Sequence, residues 1–130
     1  MTMKEVKLTY IIDDDSIFVF VLKKLLEKHN NFGEVREFKT SSDALEILFE
    51  NDTDLPSVIL LDLNMPVIDG WQLLDKLEHS ENHKNINVFV ISSSIDITDI
   101  QKSKQYSIVK DFVSKPINLE KLDDILVKVS

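Results

Sequence analysis

Short apolar runs alternate with amphipathic stretches along the whole chain, and this alternation limits the folds open to it more than any other feature. The apolar runs predict strands at 8–12, 34–38, 58–61, 88–91 and 111–113. The stretches between and after them predict helices at 16–29, around 40–49, at 70–78, at 96–106 and at 119–129. Such alternation indicates an α/β fold, a doubly wound parallel sheet of five strands with helices on both faces.

Length, charge and composition argue against several classes of function. The 130 residues suit one domain. The net charge of −8, with Arg36 as the only arginine, argues against direct nucleic-acid binding, which needs clustered basic residues. No apolar run approaches the ~18 residues that span a bilayer. The absence of cysteine excludes disulfides and thiolate metal sites and agrees with a cytoplasmic location, which we expect.

Chemically useful side chains follow four of the five predicted strands. Asp13 and Asp14 end the first strand, Asp62 the third, Ser92 the fourth and Lys115 the fifth. In doubly wound sheets, ligands bind beyond the carboxyl ends of the strands. We therefore expect three carboxylates, a hydroxyl and an amine to meet in one crevice, although Asp13 to Asp15 taken alone also fit a plain turn and helix cap.

Three carboxylates in one crevice require either protonation or a cation between them. Oxygen ligands without histidine or cysteine favour a hard ion, Mg²⁺ or Ca²⁺. A carboxylate can also act as a nucleophile and form an aspartyl phosphate. Lys115 would then offset the charge of the phosphoryl group, and Ser92 would donate one hydrogen bond to it.

The sequence resembles the receiver domains of two-component response regulators over nearly its whole length. The segments that carry the resemblance are Ile11-Ile12-Asp13-Asp14-Asp15, Leu60-Leu61-Asp62-Leu63-Asn64-Met65-Pro66-Val67-Ile68-Asp69-Gly70, Val90-Ile91-Ser92-Ser93 and Phe112-Val113-Ser114-Lys115-Pro116. The resemblance implies a flavodoxin-like or CheY-like (βα)₅ fold with strand order 2-1-3-4-5. It also implies a single receiver domain over 1–130, and we expect no output domain.

The resemblance implies a role for each residue of the crevice. Asp62 corresponds to the phosphoacceptor and Lys115 to the phosphate-binding lysine. Mg²⁺ would be held by the carboxylates of Asp13, Asp14 and Asp62 and by the backbone carbonyl of Asn64. The family's switch residues correspond to Ser92 and Phe112.

The resemblance further implies partners. The phosphoryl donor would be a histidine kinase or a histidine phosphotransfer protein, and a downstream protein target is expected but not identified. We expect neither nucleic acid nor membrane insertion, and a monomer or weak homodimer. Two other functions stay open: a pseudo-receiver that only binds partners, and an aspartate-dependent phosphohydrolase, which Asn64 disfavours because a second acid usually stands at that position.

The first helix has more apolar residues than one core stripe needs. The predicted stripe consists of Phe18, Val21, Leu22, Leu25 and Leu26. This leaves Ile17, Val19 and Phe20 beside the acidic residues, and we predict that they form an exposed docking patch for the histidine-bearing partner. There are two alternatives: these residues form a homodimer contact through this helix, or they are buried under the last helix. All three histidines are predicted to be solvated.

Overall fold

The computed structural model describes residues 4–50, 54–63, 70–93 and 96–129. The strands are β1 (Val6–Ile12), β2 (Phe32–Phe38), β3 (Val58–Asp62), β4 (Asn87–Ser92) and β5 (Val109–Ser114). The helices are α1 (Ser16–Lys28), α2 (Ser41–Leu48), α3 (Gly70–Glu78), α4 (Ile97–Ser103) and α5 (Leu119–Lys128), with a 3₁₀ turn at Glu81–His83. Among the described residues, no helix is long and apolar enough to cross a membrane.

The five strands form one parallel sheet in the order β2-β1-β3-β4-β5, which confirms the predicted fold and strand order. The polar β2 lies at an edge, as its composition predicted. The register places Asp62 opposite Ile91, and Ser92 opposite Ser114. The carboxyl ends of β3, β4 and β5 therefore coincide at one edge of the sheet.

Side chains of each strand alternate between two cores, one on each face of the sheet. Tyr10 and Ile12 face the core under α2 and α3, whereas Ile11 faces the core under α1 and α5. All residues of β3 and β4 are buried, as expected for inner strands covered on both faces.

The side of α1 that is buried differs from the prediction. Leu22 and Leu26 are buried as expected, but Val19 is also buried and Val21 is 51% exposed. The predicted exposure of Val19 and burial of Val21 are therefore wrong. The helix is apolar on several sides over its first two turns, so spacing alone could not decide which side meets the sheet.

The prediction that all three histidines are solvated is also wrong. His79 is exposed, but His83 is buried, and its Nε2 lies 2.7 Å from the Leu48 carbonyl oxygen. The His29 side chain is only 9% exposed, and its Nε2 lies 2.7 Å from Asp123 Oδ1. Both contacts join residues that are remote in the sequence, so local spacing gave no sign of them.

Candidate functional site

The residues predicted from the strand ends do meet at one edge of the sheet. One carboxylate oxygen from each of Asp13, Asp14 and Asp62 lies within 4.8 Å of the other two. The Lys115 Nζ lies 2.9 Å from Asp13 Oδ2 and 3.8 Å from Asp62 Oδ2. Two of the three carboxylates, those of Asp13 and Asp62, thus share the Lys115 ammonium.

Local hydrogen bonds hold the first acidic residue in place. The Asp13 backbone N–H donates to the Phe38 carbonyl, at 3.0 Å, which fixes the end of β1 against β2. Asp13 Oδ1 accepts the Asp15 backbone N–H at 2.9 Å. Asp15 in turn caps α1 by accepting the Phe18 N–H at 3.1 Å. The acidic run therefore serves both as a helix cap and as part of the site, and of the two predicted cap candidates, Asp15 and Ser16, it is Asp15 that caps the helix.

Burial differs among the three clustered carboxylates. Asp13 and Asp62 are buried, whereas Asp14 is exposed. A buried charge is stable only when it is paired or hydrogen-bonded. The cluster is consequently open to solvent on the Asp14 side, which is the side on which an ion or substrate would enter.

The donor set fits a hard divalent cation. Within the described part of the chain, Asp13 Oδ2 is buried and accepts no hydrogen bond, and its contact with the Lys115 ammonium is an ion pair. The three carboxylates carry three negative charges when ionised, and the Lys115 ammonium beside them carries one positive charge. Carboxylate oxygens without nitrogen or sulfur ligands suit Mg²⁺ or Ca²⁺. Asn64, predicted to contribute a backbone carbonyl, lies outside the described residues.

Lys115 is fixed by its backbone as well as by its side chain. Its N–H donates to the Ser92 carbonyl at 2.9 Å, which joins the end of β5 to the end of β4. The peptide bond between Lys115 and Pro116 is cis. The lysine side chain is 14% exposed. Its ammonium therefore works in surroundings from which most water is excluded.

The two predicted switch residues lie on neighbouring strands. Ser92 is buried at the end of β4. Phe112 is half-buried on β5 and packs against the core under α2 and α3. The Phe112 N–H donates to Asp111 Oδ1 at 2.8 Å, and Asp111 Oδ2 also contacts the Lys128 ammonium. Asp111 therefore links β5 to α5.

Sequence reasoning missed one contact of the site. Phe18, assigned to the core stripe, is half-buried, and its ring centroid lies 4.2 Å from the Lys115 ammonium. No spacing rule connects the first helix with the end of β5. The only available sign was a large aromatic residue in the first turn after the acidic run.

The predicted docking patch is only partly exposed. Ile17 is 78% exposed and Phe20 is 63% exposed, whereas Val19 belongs to the core. Val21 takes its place on the exposed surface. Ile17, Phe20 and Val21 are called the α1 patch below.

The start of α3 approaches the site closely. A Cβ atom added at Gly70 would lie 2.7 Å from Leu63 Cδ2 and 3.3 Å from the Asp62 carbonyl oxygen. Gly70 does not have a positive φ, so backbone freedom is not its role here. A side chain at position 70 would crowd Leu63 and the Asp62 carbonyl at the end of β3, which favours glycine there.

Comparison with known proteins agrees with this geometry. The family model for the response regulator receiver domain matches residues 9–127. A crystal structure of a two-component response regulator from Cytophaga hutchinsonii superposes with a TM-score of 0.84 and 30% sequence identity, over 97% of this chain and 98% of that one.

Curated relatives include regulatory proteins of different lengths. A probable methanogenesis regulatory protein, FilR2, from Methanothrix harundinacea is 25% identical over 86% of this chain and 74% of its own length. The transcriptional regulatory protein DcuR of Escherichia coli strain K12 is 33% identical over 89% of this chain. The matched region is 47% of DcuR, so this chain spans about half the length of that relative.

Proposed function

This chain belongs to the response regulator receiver domain family, and we propose that it accepts a phosphoryl group on Asp62. The observation that carries the proposal is the position of the Asp62 carboxylate. It is buried at the end of β3, 3.8 Å from the Lys115 ammonium and within 4.8 Å of two further carboxylates. A carboxylate so placed can act as a nucleophile beside charges that stabilise the transferred group.

The donor would be a phosphohistidine on a histidine kinase or histidine phosphotransfer protein. An Asp62 oxygen forms a bond to phosphorus while the phosphorus–nitrogen bond of the phosphohistidine breaks and the imidazole leaves with that electron pair. Lys115 offsets the charge on the phosphoryl oxygens, and the Ser92 hydroxyl donates a hydrogen bond to one of them. Later attack by water on phosphorus releases phosphate and restores Asp62.

Mg²⁺ is the cation we assign to the acidic cluster. Asp13, Asp14 and Asp62 would hold it, and the Asn64 backbone carbonyl stays a prediction. When bound, Mg²⁺ neutralises part of the charge that gathers on the phosphoryl oxygens. The exposed position of Asp14 supports this assignment, because Mg²⁺ usually retains several waters.

The output is a population shift between two packings of the β4–β5 edge. The phosphoryl group draws the Ser92 hydroxyl toward Asp62, and Phe112 then repacks against the core under α2 and α3. This alters the surface around α4, β5 and α5. A downstream protein target that contacts this surface would respond to the phosphorylation state, without direct binding of nucleic acid.

The α1 patch is the proposed docking surface for the histidine-bearing partner. Ile17, Phe20 and Val21 expose apolar area close to the acidic cluster, and the donor histidine must come within bonding reach of Asp62. We further propose a cytoplasmic receiver that is a monomer or a weak homodimer. Its activity is limited to its own phosphorylation and dephosphorylation.

Labelling by acetyl phosphate in the presence of Mg²⁺ tests the assignment of Asp62. Wild-type protein should become phosphorylated, and Asp62→Asn should not. Asp75→Asn, the same change at an exposed aspartate of α3, is the control and should be labelled normally. Labelling of Asp62→Asn at the wild-type level would contradict the proposal.

A further inference from the structure

The aromatic ring of Phe18 lies beside the ammonium that serves the acidic cluster. The distance from Lys115 Nζ to the ring centroid is 4.2 Å, well within the range of a cation–π contact. The same nitrogen lies 2.9 Å from Asp13 Oδ2 and 3.8 Å from Asp62 Oδ2. Among the described residues, the neighbours of the ammonium therefore include two carboxylates and one ring face.

We propose that Phe18 is a positioning residue for Lys115, holding its ammonium within reach of the phosphoryl group on Asp62. The inference rests on the proposed function of Asp62. An ammonium has three N–H donors, and the negative face of an aromatic ring attracts it without forming a salt bridge. The ring thus offers attraction that does not depend on Asp13, the nearest carboxylate.

A backbone hydrogen bond and packing against the core hold Phe18 in place. It lies in the first turn of α1, where the Asp15 cap accepts its backbone N–H at 3.1 Å. Its side chain packs against the core under α1 and α5. Asp15 also donates its own N–H to Asp13 Oδ1, so the acidic run fixes both the ring and one of the carboxylates that face Lys115.

The ring also limits the hydration of the ammonium. The Lys115 side chain is 14% exposed, although a lysine at the end of a strand normally extends into water. A cation–π contact becomes stronger as its cation loses water. Leucine at position 18 would keep an apolar neighbour but would provide no such attraction, which separates the electrostatic role from simple packing.

Two variants distinguish positioning from packing. Phe18→Leu removes the ring face, and Phe18→Tyr retains it. We expect Phe18→Leu to lower the rate of Asp62 labelling by acetyl phosphate about fivefold, the effect of one cation–π contact. Phe18→Tyr should be labelled at the wild-type rate. Phe49→Leu, the same change at a half-exposed phenylalanine after α2, should leave the rate unchanged.

A spectroscopic signature tests the contact independently of labelling. In wild-type protein and Phe18→Tyr, the ring current should shift the Lys115 ε-methylene NMR signals upfield, and Phe18→Leu should abolish this shift. A labelling rate unchanged by Phe18→Leu, a Phe18→Tyr rate as low as that of Phe18→Leu, or an absent upfield shift would overturn the inference. If wild-type protein is not labelled at all, the proposed function fails, and the NMR shift still decides whether Phe18 holds Lys115.

Discussion

Lys115 and Asp13 form a nearly buried ion pair, with Nζ 2.9 Å from Oδ2 and side-chain exposures of 14% and 2%. In the described part of the chain, that carboxylate oxygen accepts no hydrogen bond. Apart from the Asp15 N–H that Oδ1 accepts, the charge of the Asp13 carboxylate therefore depends on nearby cations. This dependence links the stability of the fold to the occupancy of the site.

Replacement of Lys115 with methionine should destabilise the metal-free protein by about 3 kcal/mol, because it leaves a buried carboxylate without its cation. Saturating Mg²⁺ should restore part of the loss. Urea unfolding with Mg²⁺ and with a chelator measures both effects. Lys84→Met, at an exposed lysine, should change little. A Lys115→Met loss that is the same with Mg²⁺ and with chelator would argue against Mg²⁺ at this cluster.

Asp14→Asn should weaken Mg²⁺ binding at least about tenfold, since it removes the charge of the carboxylate at the open side of the cluster. Isothermal titration calorimetry gives the affinity directly. Asp15→Asn is the matched control, because asparagine also caps helices and the Asp15 side chain accepts the α1 backbone N–H. Equal loss of affinity in both variants would indicate general electrostatics rather than a ligand at position 14.

Phe20→Lys should slow phosphoryl transfer from a histidine kinase about tenfold while labelling by acetyl phosphate stays normal. The change places a charge in the apolar α1 patch, and a loss of about tenfold is the size of effect expected if Phe20 is one of the few residues that dominate binding at the interface. Val127→Lys provides the control on α5, at another exposed apolar residue. Normal transfer from the kinase to Phe20→Lys would assign the patch to another partner.

Val19→Ala should lower the free energy of unfolding by about 2 kcal/mol, because two buried methyl groups are lost. Val21→Ala should stay within about 0.5 kcal/mol of wild type, because Val21 is half exposed. Chemical denaturation of the two variants compares them directly. The reverse order would mean that α1 packs with the phase predicted from spacing alone.

Glu78 should make stability depend on pH. Burial alone would raise the pKa of Glu78, but hydrogen bonds from the Ser107 hydroxyl and the Ile108 N–H outweigh it and hold the pKa below 4.5. A lowered folded pKa adds stability above the unfolded pKa, and this stability is lost as pH falls through the folded value.

The measurement is the difference in unfolding free energy between wild type and Glu78→Gln. It should be constant near neutral pH and should shrink as pH falls below about 4.5, the unfolded value. A difference that grows on acidification would contradict the lowered pKa.

Local pattern determined most of this protein's architecture. The alternation of apolar runs and amphipathic stretches predicted five strands and five helices in the correct order, because strand and helix periods depend on neighbouring residues. The position of Asp62, Ser92 and Lys115 directly after apolar runs was enough to bring them to one edge, because parallel strands share the direction of their carboxyl ends.

Tertiary structure alone decided which side of α1 is buried and which aromatic residue meets the site. The first turns of α1 are apolar on several sides, so only packing against the sheet and α5 could select Val19 over Val21. The contact between Phe18 and Lys115 depends on how α1 and β5 pack together around the sheet. Contacts of this kind leave no periodic signal in the chain, because residues far apart in sequence meet only after folding.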